Sequence, residues 1–144
     1  MKKLTFLLAS LAFMASCSSD SNTTAAEQSN GQAVEATTPA TQAINSEEAK
    51  SLLAQNPDIV VLDVRTTAEY AQGHLQQSQL VDFSAPDFEA KLKALDPEQP
   101  YLVYCAVGGR SGRATKLMEQ LGFKQVYDAT DGFSSLKSAG LAVE

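Results

Sequence analysis

The chain has 144 residues, which is enough for one domain of ordinary size and a short additional segment. Acidic residues outnumber basic ones by 17 to 11, so the formal net charge is −6. A surface of that sign repels phosphate backbones, and nucleic acid is therefore excluded as an expected partner.

The first residues have the pattern of an export signal. Lys2 and Lys3 give a positive start, and the apolar run 4–14 is shorter than the ~20 residues that a membrane-spanning helix needs. Small residues then lead to Cys17, and this stretch resembles the lipobox of bacterial lipoproteins, with Met14 where leucine is usual. The resemblance implies cleavage before Cys17 and attachment of lipid to that cysteine.

The chain is therefore divided into three parts. We predict a lipoprotein signal peptide over residues 1–16 and a lipidated, disordered tether over residues 17–42, which are rich in Ser, Thr, Ala, Asn and Gln. A folded domain over residues 43–144 would then be exported, membrane-anchored and periplasmic. The alternative is an ordinary signal peptide cut near Ala15 or Ser16, in which Cys17 carries no lipid.

The folded part opens with a helix and a buried strand. Asn45 and Glu48 have the spacing of a capping box, and the turn residues 56–58 predict the end of that helix. The β-branched run 59–62 is typical of a parallel strand that is buried on both faces.

Helices and strands alternate through the rest of the chain. In order, the pattern predicts a helix capped by Thr66 with Glu69 and stopped by Gly73, a strand at 80–83, a helix at 88–95, a strand at 101–104, a helix at 114–121, a strand at 124–127 and a helix at 133–138. This alternation indicates an α/β fold with a parallel sheet covered by helices on both faces. Ligands of such sheets bind beyond the C-terminal ends of the strands.

The loop after the predicted strand 101–104 has the composition of an anion-binding turn. Cys105 ends the strand, and Gly108 and Gly109 permit the backbone to turn its N–H groups toward one point. The following helix N-terminus and Arg110 add positive charge, and all of these favour a thiolate. The alternative is a buried core cysteine followed by a plain turn.

This loop resembles the active-site loop of rhodanese-type sulfurtransferases, in which an arginine and a serine follow the strand-end cysteine. Three further stretches agree with the family in the same order: Asp63-Val64-Arg65 with Glu69-Tyr70, Gly73-His74-Leu75, and Asp131-Gly132-Phe133 with Gly140-Leu141. The resemblance covers residues 43–144. It implies a rhodanese-like three-layer fold with a central, mostly parallel sheet.

The resemblance also implies a sulfurtransferase mechanism. A donor such as thiosulfate or a persulfide passes sulfane sulfur to Cys105, and the resulting persulfide delivers it to cyanide or a thiol. No metal and no cofactor is expected, and neither a particular protein partner nor the physiological donor is indicated. The residues expected to bind the substrate and the persulfide are Ala106, Val107, Gly108, Gly109, Arg110 and Ser111.

Three charged residues are expected to support the site. Arg65 and Glu69 are four residues apart, a spacing at which they could pair across the short helix and hold a loop beside the site. Asp63 is assigned to the same scaffold, and direct substrate contact is the alternative. His74 is left out of the catalytic set because a persulfide mechanism with an acidic thiol needs no base.

Two rival functions remain. Ala106 stands where many active relatives carry a basic residue, which favours a low-turnover sulfur-carrier or partner-docking module. Cysteine phosphatases also use a strand, a loop and a helix with Cys and Arg, but their loop is one residue longer because it holds a phosphoryl group. The shorter loop from Cys105 to Arg110 favours sulfur.

Replacing the predicted lipidation site tests the anchor. We expect Cys17→Ser to move the protein from the membrane fraction to the aqueous fraction, because lipid attachment requires the thiol. Immunoblotting of the two fractions after ultracentrifugation measures this, with Cys105→Ser as the matched cysteine control. A Cys17→Ser variant that still sediments with the membranes would show that the anchor is wrongly assigned.

Overall fold

The computed structural model describes residues 40–144. The predicted signal peptide, the predicted lipidation site Cys17 and most of the predicted tether lie outside the described residues. Within the described range, no helix combines the length and the apolar content that crossing a membrane requires.

The described chain forms one five-stranded sheet with five helices around it. In chain order the elements are β1 (Thr41–Ile44), α1 (Ser46–Gln55), β2 (Val60–Asp63), α2 (Thr67–Ala71), β3 (Gln79–Leu80), α3 (Phe88–Lys93), β4 (Tyr101–Tyr104), α4 (Gly109–Gln120), β5 (Val126–Ala129) and α5 (Phe133–Ser138). The strand order is β1-β5-β4-β2-β3, and every neighbouring pair is parallel. The predicted α/β class with a parallel sheet is confirmed.

Local side-chain bonds explain where the first two helices begin. The Asn45 side chain accepts a hydrogen bond from the Glu48 N–H at 3.0 Å, and the Glu48 carboxylate accepts one from the Asn45 N–H at 2.8 Å. Thr66 and Glu69 form the same reciprocal pair at the start of α2. Both predicted capping boxes are present, and each provides partners for N–H groups that a helix end leaves unpaired.

Apolar side chains fill both sides of the sheet, as the buried runs predict. The face covered by α3 and α4 holds one cluster: Leu62, Val64, Val81, Phe88, Leu92, Tyr101, Val103, Cys105, Ala114, Met118, Phe123 and Val126. The face covered by α1 and α5 holds the other: Ile44, Ala49, Ile59, Val61, Leu75, Leu102, Tyr104, Ala129 and Leu136. Each fully buried Leu stabilises the fold by about 2 kcal/mol.

The strands at the edges differ from the sequence-based expectation. Strand β1 is not predicted, and it includes Thr41 and Gln42, which the sequence analysis assigns to the tether. Only Ile44 of its four residues is buried, so the segment lacks the apolar pattern of a strand, and β1 is defined by the pairing of its backbone with β5. The predicted strand at 80–83 has the wrong bounds. The observed strand β3 is Gln79–Leu80, so only Leu80 lies within the predicted range, and β3 also lies at an edge of the sheet.

The C-terminal ends of the three central strands bring distant segments together. Asp63 ends β2, Cys105 follows β4, and residues 130–132 follow β5. Gly132 has φ +80°, and a Cβ at this residue would overlap the carbonyl oxygen of Ala106. The turn after β5 therefore lies directly against the loop after β4, and only glycine fits there.

Gly132→Ala tests this close contact. We expect the free energy of unfolding to fall by about 2 kcal/mol or more, because the substitution adds backbone strain and displaces the loop. Gly109→Ala is the matched control, since a Cβ there meets no atom within 4 Å, and it should change stability by less than about 1 kcal/mol. Urea unfolding followed by circular dichroism measures both. Equal midpoints for the two variants would contradict the packing argument.

Candidate active site

The loop between β4 and α4 folds over the sulfur of Cys105. Cys105 is 1% exposed, and the backbone N–H of Gly108 donates a hydrogen bond to Sγ at 3.1 Å. Gly108 has φ +84°, and a Cβ at this residue would overlap the carbonyl oxygen of Thr130. This left-handed residue reverses the chain, so that α4 begins at Gly109 with its N-terminal end beside the sulfur.

Two opposing effects set the pKa of Cys105. Burial raises the pKa of this thiol, because an anion loses solvation in the protein interior. Hydrogen bonds from the backbone N–H groups of Ser111, Val107 and Arg110, together with the Ser111 hydroxyl, act in the opposite direction and outweigh burial. The pKa of Cys105 is therefore lowered, which increases the fraction of nucleophilic thiolate near neutral pH.

Ser111 lies inside the first turn of α4 and is fully buried. Its hydroxyl donates to the carbonyl oxygen of Gly108 at 3.0 Å, and it is also close enough to lower the pKa of Cys105. A hydroxyl has one proton, so it donates either to the carbonyl group or to the sulfur at a given time. The Gly112 N–H also donates to the Gly108 carbonyl at 3.0 Å, so this oxygen keeps a partner when the hydroxyl turns to the sulfur.

Arg110 pairs with Glu69 in a two-pronged ion pair. The nitrogens Nη1 and Nη2 donate to the two carboxylate oxygens of Glu69, each at 2.7 Å. The hydrogen bond from Arg110 holds the pKa of Glu69 well below its usual range. The predicted pair between Arg65 and Glu69 is wrong, because Arg65 precedes the cap of α2 and is not part of the helix. Glu69 instead fixes the orientation of Arg110 at the end of the loop.

Arg65 pairs with Asp63 beneath the site. Asp63 is fully buried, and Nη2 of Arg65 donates to its carboxylate at 2.6 Å and to the carbonyl oxygen of Gly73 at 2.8 Å. Burial lowers the pKa of Arg65, but the hydrogen bonds and charge of Asp63 outweigh burial and raise it. Removing one partner would leave an uncompensated buried charge, at a cost of about 3–5 kcal/mol.

An aromatic ring joins this ion pair to the cysteine. The guanidinium carbon of Arg65 lies 3.9 Å from the ring centre of Phe133, and the Phe133 N–H donates to the carbonyl oxygen of Cys105 at 2.8 Å. Arg65 thus packs against Phe133, and the backbone N–H of Phe133 in turn holds the backbone of Cys105. The structure therefore gives Asp63 and Arg65 contacts with the scaffold of the site.

Asp128 is a buried acid near the site that the sequence analysis does not single out. It lies on β5, is 7% exposed, and burial raises its pKa, an effect that the Ser111 hydroxyl partly offsets. A Cβ at Gly112 would lie 3.3 Å from its carboxylate, so the glycine leaves room for it. The sequence feature that could have identified Asp128 is the presence of an acidic residue within an otherwise apolar strand.

The other predicted binding residues lie along the outer side of the loop. Ala106 is half-buried, Gly109 is exposed, and Val107 is 81% exposed. His74 stacks on the Tyr70 ring at 3.6 Å and contacts its carbonyl oxygen through Nδ1, in agreement with a structural position. Between residues 40 and 144 there is no group of three or more His, Cys, Asp or Glu that could hold a metal ion.

Taken together, the fold and the loop define a class of protein: a three-layer α/β domain with a strand-end cysteine whose sulfur is enclosed by backbone N–H groups. A family model described as the rhodanese-like domain matches residues 45–139. The chain belongs to this family, as its motifs predict. The matched residues include the loop after Cys105 and the stretches at 63–75 and 131–133.

Known relatives carry sulfurtransferase names. The thiosulfate sulfurtransferase GlpE of Coxiella burnetii (strain RSA 331 / Henzerling II) is 31% identical over 86 residues, which cover 60% of this chain and 78% of that protein. GlpE of Pseudomonas paraeruginosa is 35% identical over 98 residues, 67% of this chain and 84% of that protein. A sulfurtransferase of Allochromatium vinosum is 29% identical over 69% of this chain and 92% of that protein. The chain is thus a member of the sulfurtransferase family.

Solved structures share the fold. A rhodanese-related protein of Thermoplasma volcanium superposes with a TM-score of 0.61 at 31% identity, over 72% of this chain and 97% of that one. A rhodanese-like domain protein of Staphylococcus aureus has the same TM-score at 24% identity, over 69% of this chain and 95% of that one. At that identity the second match supports the fold alone.

Ser111→Ala tests the environment of the thiol. We expect the pH midpoint of Cys105 alkylation to rise by about one pH unit, because a hydrogen bond to a charged group is lost. Iodoacetamide labelling followed by mass spectrometry across a pH series measures the midpoint. Thr115→Val removes another buried hydroxyl one turn further along α4 and should leave the midpoint unchanged. Identical midpoints for all three proteins would show that the Ser111 hydroxyl does not act on the sulfur.

Proposed function

We propose that the protein is a sulfurtransferase that carries sulfane sulfur as a persulfide on Cys105. The observation that carries this proposal is the enclosure of Sγ by loop N–H groups, with Gly108 N at 3.1 Å. Such an arrangement stabilises a negative charge on Sγ of Cys105 and, after sulfur transfer, on the outer sulfur of the persulfide. It suits an anionic nucleophile that becomes an anionic persulfide.

The reaction consists of two displacements at sulfur. In the first, the Cys105 thiolate attacks the sulfane sulfur of a donor, a new S–S bond forms, and the donor leaves with the electron pair of the bond that breaks. In the second, a thiolate or cyanide attacks the outer sulfur, and the electron pair of the S–S bond returns to Cys105. The acceptor is oxidised by the sulfur atom that it gains and the donor is reduced to the same extent, so no external oxidant, reductant or cofactor is required.

The residues around the sulfur have separate roles in this proposal. Backbone N–H groups of residues 106–110 stabilise the persulfide, and Ser111 supplies a further donor that can turn toward it. Arg110 is held by Glu69 and closes the end of the loop. Asp63 and Arg65 are positioning residues, because they reach Cys105 through Phe133 and do not contact the reacting atoms.

The donor and acceptor classes follow from the same chemistry. The names of the GlpE relatives support thiosulfate as one donor, and cyanide or a thiol is the acceptor. A low-turnover sulfur carrier that docks on a partner is the second candidate. The 1% exposure of Cys105 favours it, because a closed site slows the approach of a second substrate.

We also propose that Cys17 anchors the domain to a membrane by lipid and that the domain acts outside the cytoplasm. The support is the pattern of the sequence around Cys17 alone. In this arrangement the long polar segment before β1 gives the domain reach from the bilayer surface.

Cys105→Ser tests the proposed function. We expect the purified protein to gain the mass of one sulfur atom on Cys105 when it is treated with excess thiosulfate, and to form thiocyanate when cyanide follows. The serine variant should show neither result, because an alkoxide is not accessible near neutral pH. Cys17→Ser is the matched control and should keep both activities. A Cys105→Ser protein that forms thiocyanate at the wild-type rate would refute the proposal.

Sulfur uptake followed by slow release separates the two candidates. A turnover enzyme releases thiocyanate in rapid repeated cycles, whereas a carrier takes up one sulfur atom at Cys105 and releases thiocyanate slowly. Thiocyanate measured against enzyme concentration over time distinguishes these outcomes.

A further inference from the structure

Within the loop from Cys105 to Ser111, no cationic side chain is left without an acidic partner. Arg110 is the one charged side chain between Cys105 and Ser111, and both of its terminal nitrogens are bound to the carboxylate of Glu69. The pair is only partly exposed, at 21% and 34% of the two side chains. A neutral pair of this kind offers little attraction to an approaching anion, because the two charges nearly cancel.

The neighbouring arginines are also engaged. Arg65 is buried against Asp63 with 5% of its side chain exposed. Arg113 is exposed, but its Nε donates to the carbonyl oxygen of Gly109 at 3.3 Å and its guanidinium lies over the Phe83 ring at 4.8 Å. Arg65 is thus paired with an acid, whereas Arg113 keeps its positive charge and is held against the Phe83 ring and the start of α4.

The turn that packs on the loop carries an acidic residue and no basic one. Asp131 is exposed and directly precedes Gly132, which packs against the backbone of Ala106. Its carboxylate accepts hydrogen bonds from the N–H and the hydroxyl of Ser46, so no cation is paired with it among its polar contacts. The carboxylate therefore faces the start of α1, and no cation among these contacts cancels its negative charge.

The most exposed side chain of the loop is apolar. Val107 is 81% exposed, while its N–H is among the groups that lower the pKa of Cys105. The residue therefore lies in the loop that encloses the sulfur and presents its isopropyl group to solvent. An uncharged or apolar group on a donor can bury surface against it, whereas a sulfonate group must give up hydration there.

We infer that the preferred sulfur donor is a monoanion whose sulfane sulfur is bonded to an uncharged organic group, such as an organic persulfide or thiosulfonate. The dianion thiosulfate is a poorer donor for this site. This inference rests on the proposed function, because it names the substrate class of the Cys105 site. In this proposal the loop N–H groups donate hydrogen bonds to the single negative charge of the donor, and the organic group of the donor lies against Val107.

The step balances for both kinds of donor. The Cys105 thiolate attacks the terminal sulfur of an organic persulfide, the Cys105–S bond forms, the donor S–S bond breaks, and an organic thiolate leaves with the electron pair. With a thiosulfonate the leaving group is a sulfinate. Two negative charges are present before and after each reaction, and no further reactant is needed.

Three stable donors test the charge requirement. Thiosulfate is a dianion, methanethiosulfonate is a monoanion of similar size, and benzenethiosulfonate adds an apolar ring to the same charge. We expect kcat/KM with cyanide as acceptor to be about ten-fold higher for benzenethiosulfonate than for thiosulfate, with methanethiosulfonate between them. Each value is divided by the uncatalysed rate of the same donor with 2-mercaptoethanol, which removes differences in intrinsic reactivity. A normalised kcat/KM for thiosulfate that equals or exceeds the others would overturn the inference.

A pair of substitutions at Val107 separates charge from size. Val107→Lys should raise kcat/KM for thiosulfate about three-fold at low ionic strength, with the gain lost at high salt, and should not raise it for benzenethiosulfonate. Val107→Met has a side chain of similar length without charge and should give no such gain. If the lysine variant leaves thiosulfate turnover unchanged, missing charge does not limit the donor and the inference is wrong.

Sulfur uptake by Cys105 tests the proposed function independently of the preference among donors. Mass spectrometry after treatment with each donor shows whether Cys105 takes up sulfur at all. Uptake with an unexpected order of donors contradicts only the donor class. Failure of uptake from all three donors contradicts the sulfurtransferase proposal itself.

Discussion

The convergence of backbone N–H groups on the Cys105 sulfur is the constraint around which the rest of this domain is arranged. Peptide groups can point at one atom only if the chain reverses sharply, and Gly108 provides that reversal with φ +84°. The reversed loop stays closed because the turn after β5 packs on it. The Phe133 N–H also donates a hydrogen bond to the carbonyl oxygen of Cys105, where the loop begins. Phe133 in turn rests on the buried pair of Asp63 and Arg65. A chain of contacts across three neighbouring strands thus maintains the electrostatics of one sulfur atom.

Much of the fold can be predicted from the sequence because its signals are local. The capping boxes at Asn45 and Thr66 act within four residues, and they define the starts of α1 and α2. Strand β4 is identified because it is an uninterrupted apolar run that is buried on both faces. The edge strand β1 could not be found in this way. Its side chains are largely exposed, and it is defined by hydrogen bonds to β5, which lies about 85 residues further along the chain.

In the candidate site too, the local features can be predicted from the sequence and the long-range contacts cannot. Composition alone points to the loop that follows β4, because glycines and an arginine directly after a strand-end cysteine have few other uses. The partner of Glu69 could not be deduced from spacing, because the rule for residues four apart applies only when both lie in one helix. Arg65 lies before the helix and turns back to Asp63, which leaves Glu69 to bind Arg110. The acid Asp128 comes near Ser111 only through the packing of α4 on β5.

The close contact at Gly132 restricts how this family member can evolve. A loop that is one residue longer would suit a phosphoryl group, but an inserted residue would have to displace the turn after β5, because the two backbones already touch. The displacement would pull Phe133 from Arg65 and expose a buried ion pair. The length of the loop after β4 is therefore coupled to the conformation of the turn after β5, and a longer loop requires a matching change in that second segment.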